Sequence, residues 1–219
     1  MKTIKVIITG ATGMVGEGVL HECLKHESIS NVLVVGRKTC GVKHPKLKEV
    51  LLSDFFNLSP IEDELKGYDA CLFCLGTTSV GKKEKEFYHL TYELTMNFAQ
   101  AVANKNSDLT FCYISGAGTN ADGRMMWQKV KGKTENDLMK FGFKNVFNFR
   151  PAYIQPTKGM KNTLGAYKFI SWMYPILKSL FPKSACTLQE LGLAMIQVSL
   201  HGFEKNFVEV KDMVALSKR

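Results

Sequence analysis

The 219-residue sequence has no low-complexity tract and no internal repeat, and its 45% hydrophobic and 22% charged residues exclude the disordered and fibrous classes. It is too short for two domains of ordinary size. One domain with a substantial core and a small appended lobe fits. No basic, apolar and cleavage regions precede the first structured element, because an apolar strand already begins at position 4. No apolar run reaches bilayer length either: the best, "FISWMYPILKSLF" from Phe169, is short and carries Pro175 and Lys178. These absences predict a cytoplasmic protein without stable membrane insertion.

A disulfide framework is also missing. Cys23, Cys40, Cys71, Cys74, Cys112 and Cys186 are scattered through apolar stretches, as reduced core thiols would be. Cys71 and Cys74 spell C-x-x-C, but "ACLFCLG" reads as a buried strand, where residues three apart point to opposite faces. Neither a redox pair nor a metal site is expected. The net charge of +9 implies an anionic ligand or surface. The lysines of "KHPKLKE", "KKEKE" and "KVKGK" alternate with acids and lack stacking aromatics, so they read as solvated faces and not as a nucleic-acid surface.

Short apolar runs alternate with helical patterns, the signature of β-α-β units and a parallel sheet covered on both faces. Strands are predicted at 3–9, 32–36, 49–52, 70–75, 109–115 and 145–149. Helices are predicted at 14–25, from Glu86 to Asn104 and from Trp127 to Phe141. After Pro151 the chain is punctuated by proline and glycine, then offers a helix from Leu188 to His201 and a final strand from Asn206 to Val210.

In "ITGATGMVGEGVL" the first strand ends at Thr9, and Gly10, Gly13 and Gly16 follow before the helix runs on. Such a turn brings helix-start N–H groups to a pyrophosphate: one glycine makes the turn, one admits the phosphate, and one lets helix and strand pack closely. The second strand, "NVLVVGRK", lacks the acid that would hold the 2′-hydroxyl of NAD; Arg37 and Lys38 follow Gly36 instead. A cationic pair suits the 2′-phosphate of NADP. NADP(H) is therefore the expected cofactor, with NAD(H) the less favoured one. Solvated loop cations are the alternative reading of that pair.

With "TGATGMVG", "VVGRK", "SDF", "CLGTT", "YISGAG", "QKVKGKTE" and "FRPAYIQP" in this order, the sequence resembles the short-chain dehydrogenase/reductase superfamily. The likeness is to its atypical or extended NAD(P)-binding, epimerase-like branch, near the Tat-interactive oxidoreductase-like proteins. It spans nearly the whole chain and implies a doubly wound parallel sheet, the Rossmann fold, with residues 151–219 contributing a small substrate-side lobe. It also implies that Thr12, Met14 and Val15 lie along the pyrophosphate turn, that Asp54 and Phe55 flank the adenine, and that Leu75, Gly76 and Thr77 pass the ribose and nicotinamide side. A turn cap is the other reading of Asp54.

Reductases of this superfamily use a serine after the fifth strand and a Y-x-x-x-K on the next helix. Ser115 matches the serine and Lys131 the lysine, which would also hold the nicotinamide ribose. The tyrosine is missing: Trp127 stands four residues before Lys131. An indole N–H donates a hydrogen bond but delivers no proton at neutral pH. The literal Y-x-x-x-K at Tyr174 to Lys178 includes Pro175 and falls after the sixth strand, so chance explains it. Tyr153, just after that strand, is the first candidate for a substitute donor, and Tyr113 is expected in the core. Two functions follow. One is an NADP(H)-dependent oxidoreductase acting on a small carbonyl or alcohol; the other is an NADPH-binding module with little turnover, a regulatory or scaffold protein with a protein partner. Met160, Tyr167, Trp172, Met173 and Phe181 are read as an apolar cleft wall or a core helix. Oligomeric state is not legible.

Overall fold

The computed structural model describes residues 3–157, 159–162 and 184–219. The chain opens with β1 (Ile4–Thr9), α1 (Met14–Lys25), β2 (Ile29–Gly36) and β3 (Leu47–Leu51), then a 3-10 helix (Ser59–Leu65) and β4 (Ala70–Phe73). There follow α2 (Glu84–Tyr88), a π-helical turn (His89–Glu93), α3 (Leu94–Lys105), β5 (Thr110–Ile114), α4 (Met126–Leu138) and β6 (Asn145–Arg150). The last part holds β7 (Tyr153–Gln155), β8 (Ala185–Thr187), α5 (Leu188–His201), β9 (Phe207–Glu209) and α6 (Val210–Leu216).

Seven strands form one parallel sheet in the order β3-β2-β1-β4-β5-β6-β9, and β7 and β8 form a separate parallel pair. This is the doubly wound Rossmann arrangement, with its direction reversing beside β1. The central strands are predominantly apolar because both faces are covered. On one face Val6 and Ile8 pack with α1, α5 and α6. On the other, Ile7 packs with the 3-10 helix and α3. Cys71 belongs to the second face and Cys74 packs against the first, as the strand reading of "ACLFCLG" requires. None of the six cysteines, all of them among the described residues, forms a disulfide.

α1 and α5 pack closely because each presents a glycine to a side chain of the other. A Cβ at Gly18 would come within 3.0 Å of Leu188, and one at Gly192 within 3.0 Å of Glu22. A Thr187–Glu190 capping box starts α5: the Thr187 hydroxyl accepts from the Glu190 N–H at 3.0 Å.

Six predicted strands and the helices between them are present, with ends moved by a few residues. The helix expected from Glu86 to Asn104 is divided by the π-helical turn, a feature invisible in apolar periodicity. The expected last strand ends at Glu209, where a helix begins. Of the segment after 150, β9 joins the main sheet and α5 packs on α1. Tyr167, Trp172, Met173, Phe181 and the Tyr174 to Lys178 match lie outside the described residues.

Candidate functional site

The carboxyl ends of β1 and β4 are tied together, because the Leu75 N–H donates to the Thr9 hydroxyl at 3.2 Å. Gly10 has φ +72°, and a Cβ there would stand 2.6 Å from the Cys74 carbonyl oxygen. A Cβ at Gly16 would stand 2.1 Å from the Gly10 carbonyl oxygen. The chain itself thus demands both outer glycines. Gly13 differs. It caps α1 with ordinary extended angles (φ −99°, ψ 162°), and a Cβ there would meet nothing nearer than the Gly10 oxygen at 3.4 Å. No side chain caps this helix start, so the N–H groups of its first turn, including those of Met14 and Val15, remain for an anion. The Met14 and Val15 side chains pack on the core face.

A cavity of about 350 Å³ opens beside this turn, lined by Gly10, Ala11, Thr12, Gly36, Arg37, Lys38, Phe55 and Leu75. A second hollow of about 260 Å³ shares Arg37, Phe55 and Leu75 with it and adds Asp54, Phe56, Gly76, Thr77 and Leu90. The two make one groove across the carboxyl edge of the sheet, where open α/β sheets bind ligands. Arg37 and Lys38 are exposed at its rim and have no ion-pair partner among the described residues. The Asp54 carboxylate accepts the Phe56 N–H at 2.8 Å, so the turn-cap reading of Asp54 holds while the residue also lines the groove. Phe55 is 4% exposed and stacks near Phe98, making it a core residue with one edge in the groove. A larger hollow of about 630 Å³ lies at the opposite, amino edge of the sheet, lined by Asp69, Asp108 and Lys144 among others, away from all of these residues.

Ser115 follows β5 and is 5% exposed. Its hydroxyl lies 3.0 Å from the Thr119 hydroxyl, which donates to the Gly116 carbonyl at 2.8 Å; the serine proton therefore points to Thr119. From α4 the Lys131 ammonium donates to the carbonyl oxygens of Ser115 at 2.8 Å and Ile114 at 3.4 Å. Burial pushes its pKa down to about 8, against an upward pull from Glu135. A Cβ at Gly132 would stand 2.3 Å from the Ala121 nitrogen, so only glycine lets α4 press this closely on the loop after β5. Trp127 shares the helix face of Lys131, but its indole N–H is directed to the Met125 sulfur at 3.1 Å. Tyr153 on β7 donates its hydroxyl proton to Gln155 at 2.8 Å. Tyr113 is buried in the core as expected.

A family model for the NAD dependent epimerase/dehydratase family matches residues 6–135, which contain the glycine turn, the groove, Ser115 and Lys131. The chain belongs to the NAD dependent epimerase/dehydratase family. Among solved structures, the family member described here resembles the Bordetella bronchiseptica enzyme WbmF in complex with NAD+, with a TM-score of 0.68 and 12% identity. The match covers 99% of this chain and 77% of the other. It also resembles a short chain dehydrogenase from Burkholderia cenocepacia in complex with NADP, with a TM-score of 0.66 and 13% identity over 94% and 88% of the two chains. At such identities the likeness is one of fold.

Among named relatives, the mitochondrial protein FMP52 of Candida albicans is 26% identical over 97% of this chain and 94% of its own. FMP52-2 of Scheffersomyces stipitis, also mitochondrial, is 31% identical over 67% and 65%. These relatives overturn the cytoplasmic expectation. Composition and missing apolar runs do not distinguish one aqueous compartment from another. Among the described residues no helix is long and apolar enough to cross a membrane.

Several residues around this groove escaped sequence reasoning. Leu90 reaches the groove from the π-helical turn, and Thr119 holds Ser115. Glu135, 1% exposed, is gripped by Arg150 through two bonds of 2.9 and 2.6 Å. Glu17, in the first turn of α1, accepts the N–H groups of Lys161 and Asn162 at 2.9 and 2.8 Å, tying the segment beyond β7 to the glycine turn. An acid in a helix's first turn was the one visible signal among these.

Proposed function

We propose that this chain is an NADP(H)-dependent oxidoreductase acting on a small carbonyl or alcohol. The bare backbone at Gly13, the open space at Gly76 and the groove between them fit a dinucleotide. Gly10, Thr12 and the first turn of α1 would take the pyrophosphate, Asp54 and Phe55 the adenine side, and Leu75 to Thr77 with Lys131 the nicotinamide ribose. A nicotinamide bound there supplies or accepts a hydride. Ser115 would orient the substrate oxygen after its proton turns from Thr119, and the ammonium of Lys131 would keep positive charge beside that oxygen.

The preference for NADP(H) is supported by one observation: Arg37 and Lys38 stand at the groove rim without an ion-pair partner among the described residues, and no acid follows β2. A charge-assisted phosphate contact contributes about 1.5–3 kcal/mol, so NADPH should bind roughly ten- to a hundredfold tighter than NADH. Fluorescence titration of wild type and Arg37→Ala tests this, and the variant should lose most of the gap. Equal affinities for the two cofactors in the wild type would refute the preference. Trp127 in place of the family's tyrosine favours a second reading, an NADPH-binding module whose occupancy is read by a protein partner. Turnover separates the two.

A further inference from the structure

The hydrogen-bond donors around Ser115 leave one proton unassigned. The Ser115 hydroxyl is turned to Thr119, the Trp127 indole to the Met125 sulfur and the Tyr153 phenol to Gln155. Each of these groups has a single proton to give. An ammonium has three. Two of the Lys131 protons are accounted for by the carbonyls of Ser115 and Ile114, and the third meets no acceptor among the described residues. Lys131 also makes no ion pair there. Both carbonyls that hold the ammonium belong to the carboxyl end of β5, the stretch that also carries the Ser115 hydroxyl.

We propose that Lys131 is itself the proton donor to the substrate oxygen, in place of the missing tyrosine. The inference rests on the oxidoreductase reading above. As a hydride from a reduced nicotinamide adds to the carbonyl carbon, the C=O π pair moves onto oxygen. An N–H bond of Lys131 breaks, its electron pair stays on nitrogen as the neutral amine, and a new O–H bond completes the alcohol. Water then returns a proton to the amine, and the reverse sequence serves alcohol oxidation.

The surroundings of Lys131 make this exchange accessible near neutral pH. The groups that face it are Glu135 on its own helix, with its carboxylate occupied by Arg150 of β6, and Tyr113 of β5, whose ring centre lies 5.9 Å from the ammonium. Burial keeps the Tyr113 phenol neutral by pushing its pKa up. Desolvation outweighs the charge of Glu135 and brings Lys131 to about 8, well below an ordinary lysine at about 10.4. A donor matched to the working pH is what general acid catalysis requires.

The test compares wild type, Lys131→Arg and Tyr153→Phe. Arginine keeps the positive charge but does not give up a proton in this range. Lys131→Arg should therefore retain saturable NADPH binding, while kcat on a small dicarbonyl falls by about a hundred- to ten-thousandfold. In the cofactor-free protein, amine labelling at Lys131, read by peptide mass spectrometry across pH, should show a midpoint near 8. A midpoint near the ordinary lysine value overturns the proposal without reference to turnover. NADPH binding with turnover kept in Lys131→Arg and lost in Tyr153→Phe also overturns it, and makes Tyr153 the donor. Absence of saturable NADPH binding in the wild type removes the oxidoreductase reading and this proposal together.

Discussion

Adding one methyl group at two positions three residues apart separates the chain's needs from the ligand's. At Gly16 the new carbon would lie 2.1 Å from the Gly10 oxygen and 2.5 Å from its carbonyl carbon, both backbone atoms that cannot rotate away. Overpacking of this kind costs about 1–3 kcal/mol, which for a domain of this size lowers Tm by about 2–12 °C. At Gly13 the nearest atom is 3.4 Å away and the backbone angles suit any residue. Reduced unfolded-state entropy favours alanine there by about 0.4–1 kcal/mol, and its poorer N-capping takes back a similar amount. The cofactor-free Gly13→Ala protein should therefore melt within about 3 °C of wild type. The variants should differ again when NADPH is added. At a hundredfold excess over Kd the ligand stabilises wild type by about 2.7 kcal/mol, or about 5–11 °C. Gly13→Ala should lose that rise if the pyrophosphate lies where we propose, since its methyl group would then take the place of a phosphate oxygen. Scanning calorimetry with and without NADPH reads both effects. A Gly13→Ala protein that keeps the full rise would put the phosphate elsewhere, and one as unstable as Gly16→Ala would refute the packing distinction.

Arg150→Met should leave the buried carboxylate of Glu135 without its partner and cost about 3 kcal/mol, the lower end for a broken buried pair because the arginine is partly exposed. A urea-denaturation loss under about 1 kcal/mol would show that the pair is not a stabilising contact. Asp137 is held well below the usual carboxylate range by Lys133, Lys140 and the Tyr92 hydroxyl. A depressed carboxylate contributes stability that is full above its unfolded value of about 3.9 and lost as pH falls through the folded one. Asp137→Asn should melt below wild type at pH 7, and the gap should narrow as pH drops below about 4; a gap constant down to pH 2 would contradict the assignment.

The parallel sheet was legible because a strand covered on both faces must be largely apolar, and "VII", "VLVV" and "ACLF" are apolar. The glycine turn was legible for a similar reason, since Gly10 and Gly16 answer steric demands that only glycine meets. What escaped notice depends on distant partners. "AYIQ" and "SACT" are ordinary three-residue stretches until β7 and β8 meet across about thirty intervening residues. The π-helical turn keeps a helical apolar pattern and changes only its hydrogen bonds, so no periodicity marks it. Thr119 and Gln155 are unremarkable polar residues whose importance lies in which proton they accept. Composition and the shortness of the apolar runs, finally, carry no information about which compartment the protein occupies.

The close packing of α1 on α5 has a consequence for synthesis at the ribosome. The helix after the glycine turn is made among the first residues, but its outer face is covered by α5, beginning at Leu188. At about 5–20 residues per second, that face waits on the order of ten seconds for its cover. During that interval Val19, Leu20 and Cys23 are not yet shielded by α5, although the first strands are already available to pair. A truncation or fusion near the carboxyl terminus would therefore act on the glycine turn at the other end of the chain, by leaving its helix without the surface it packs against.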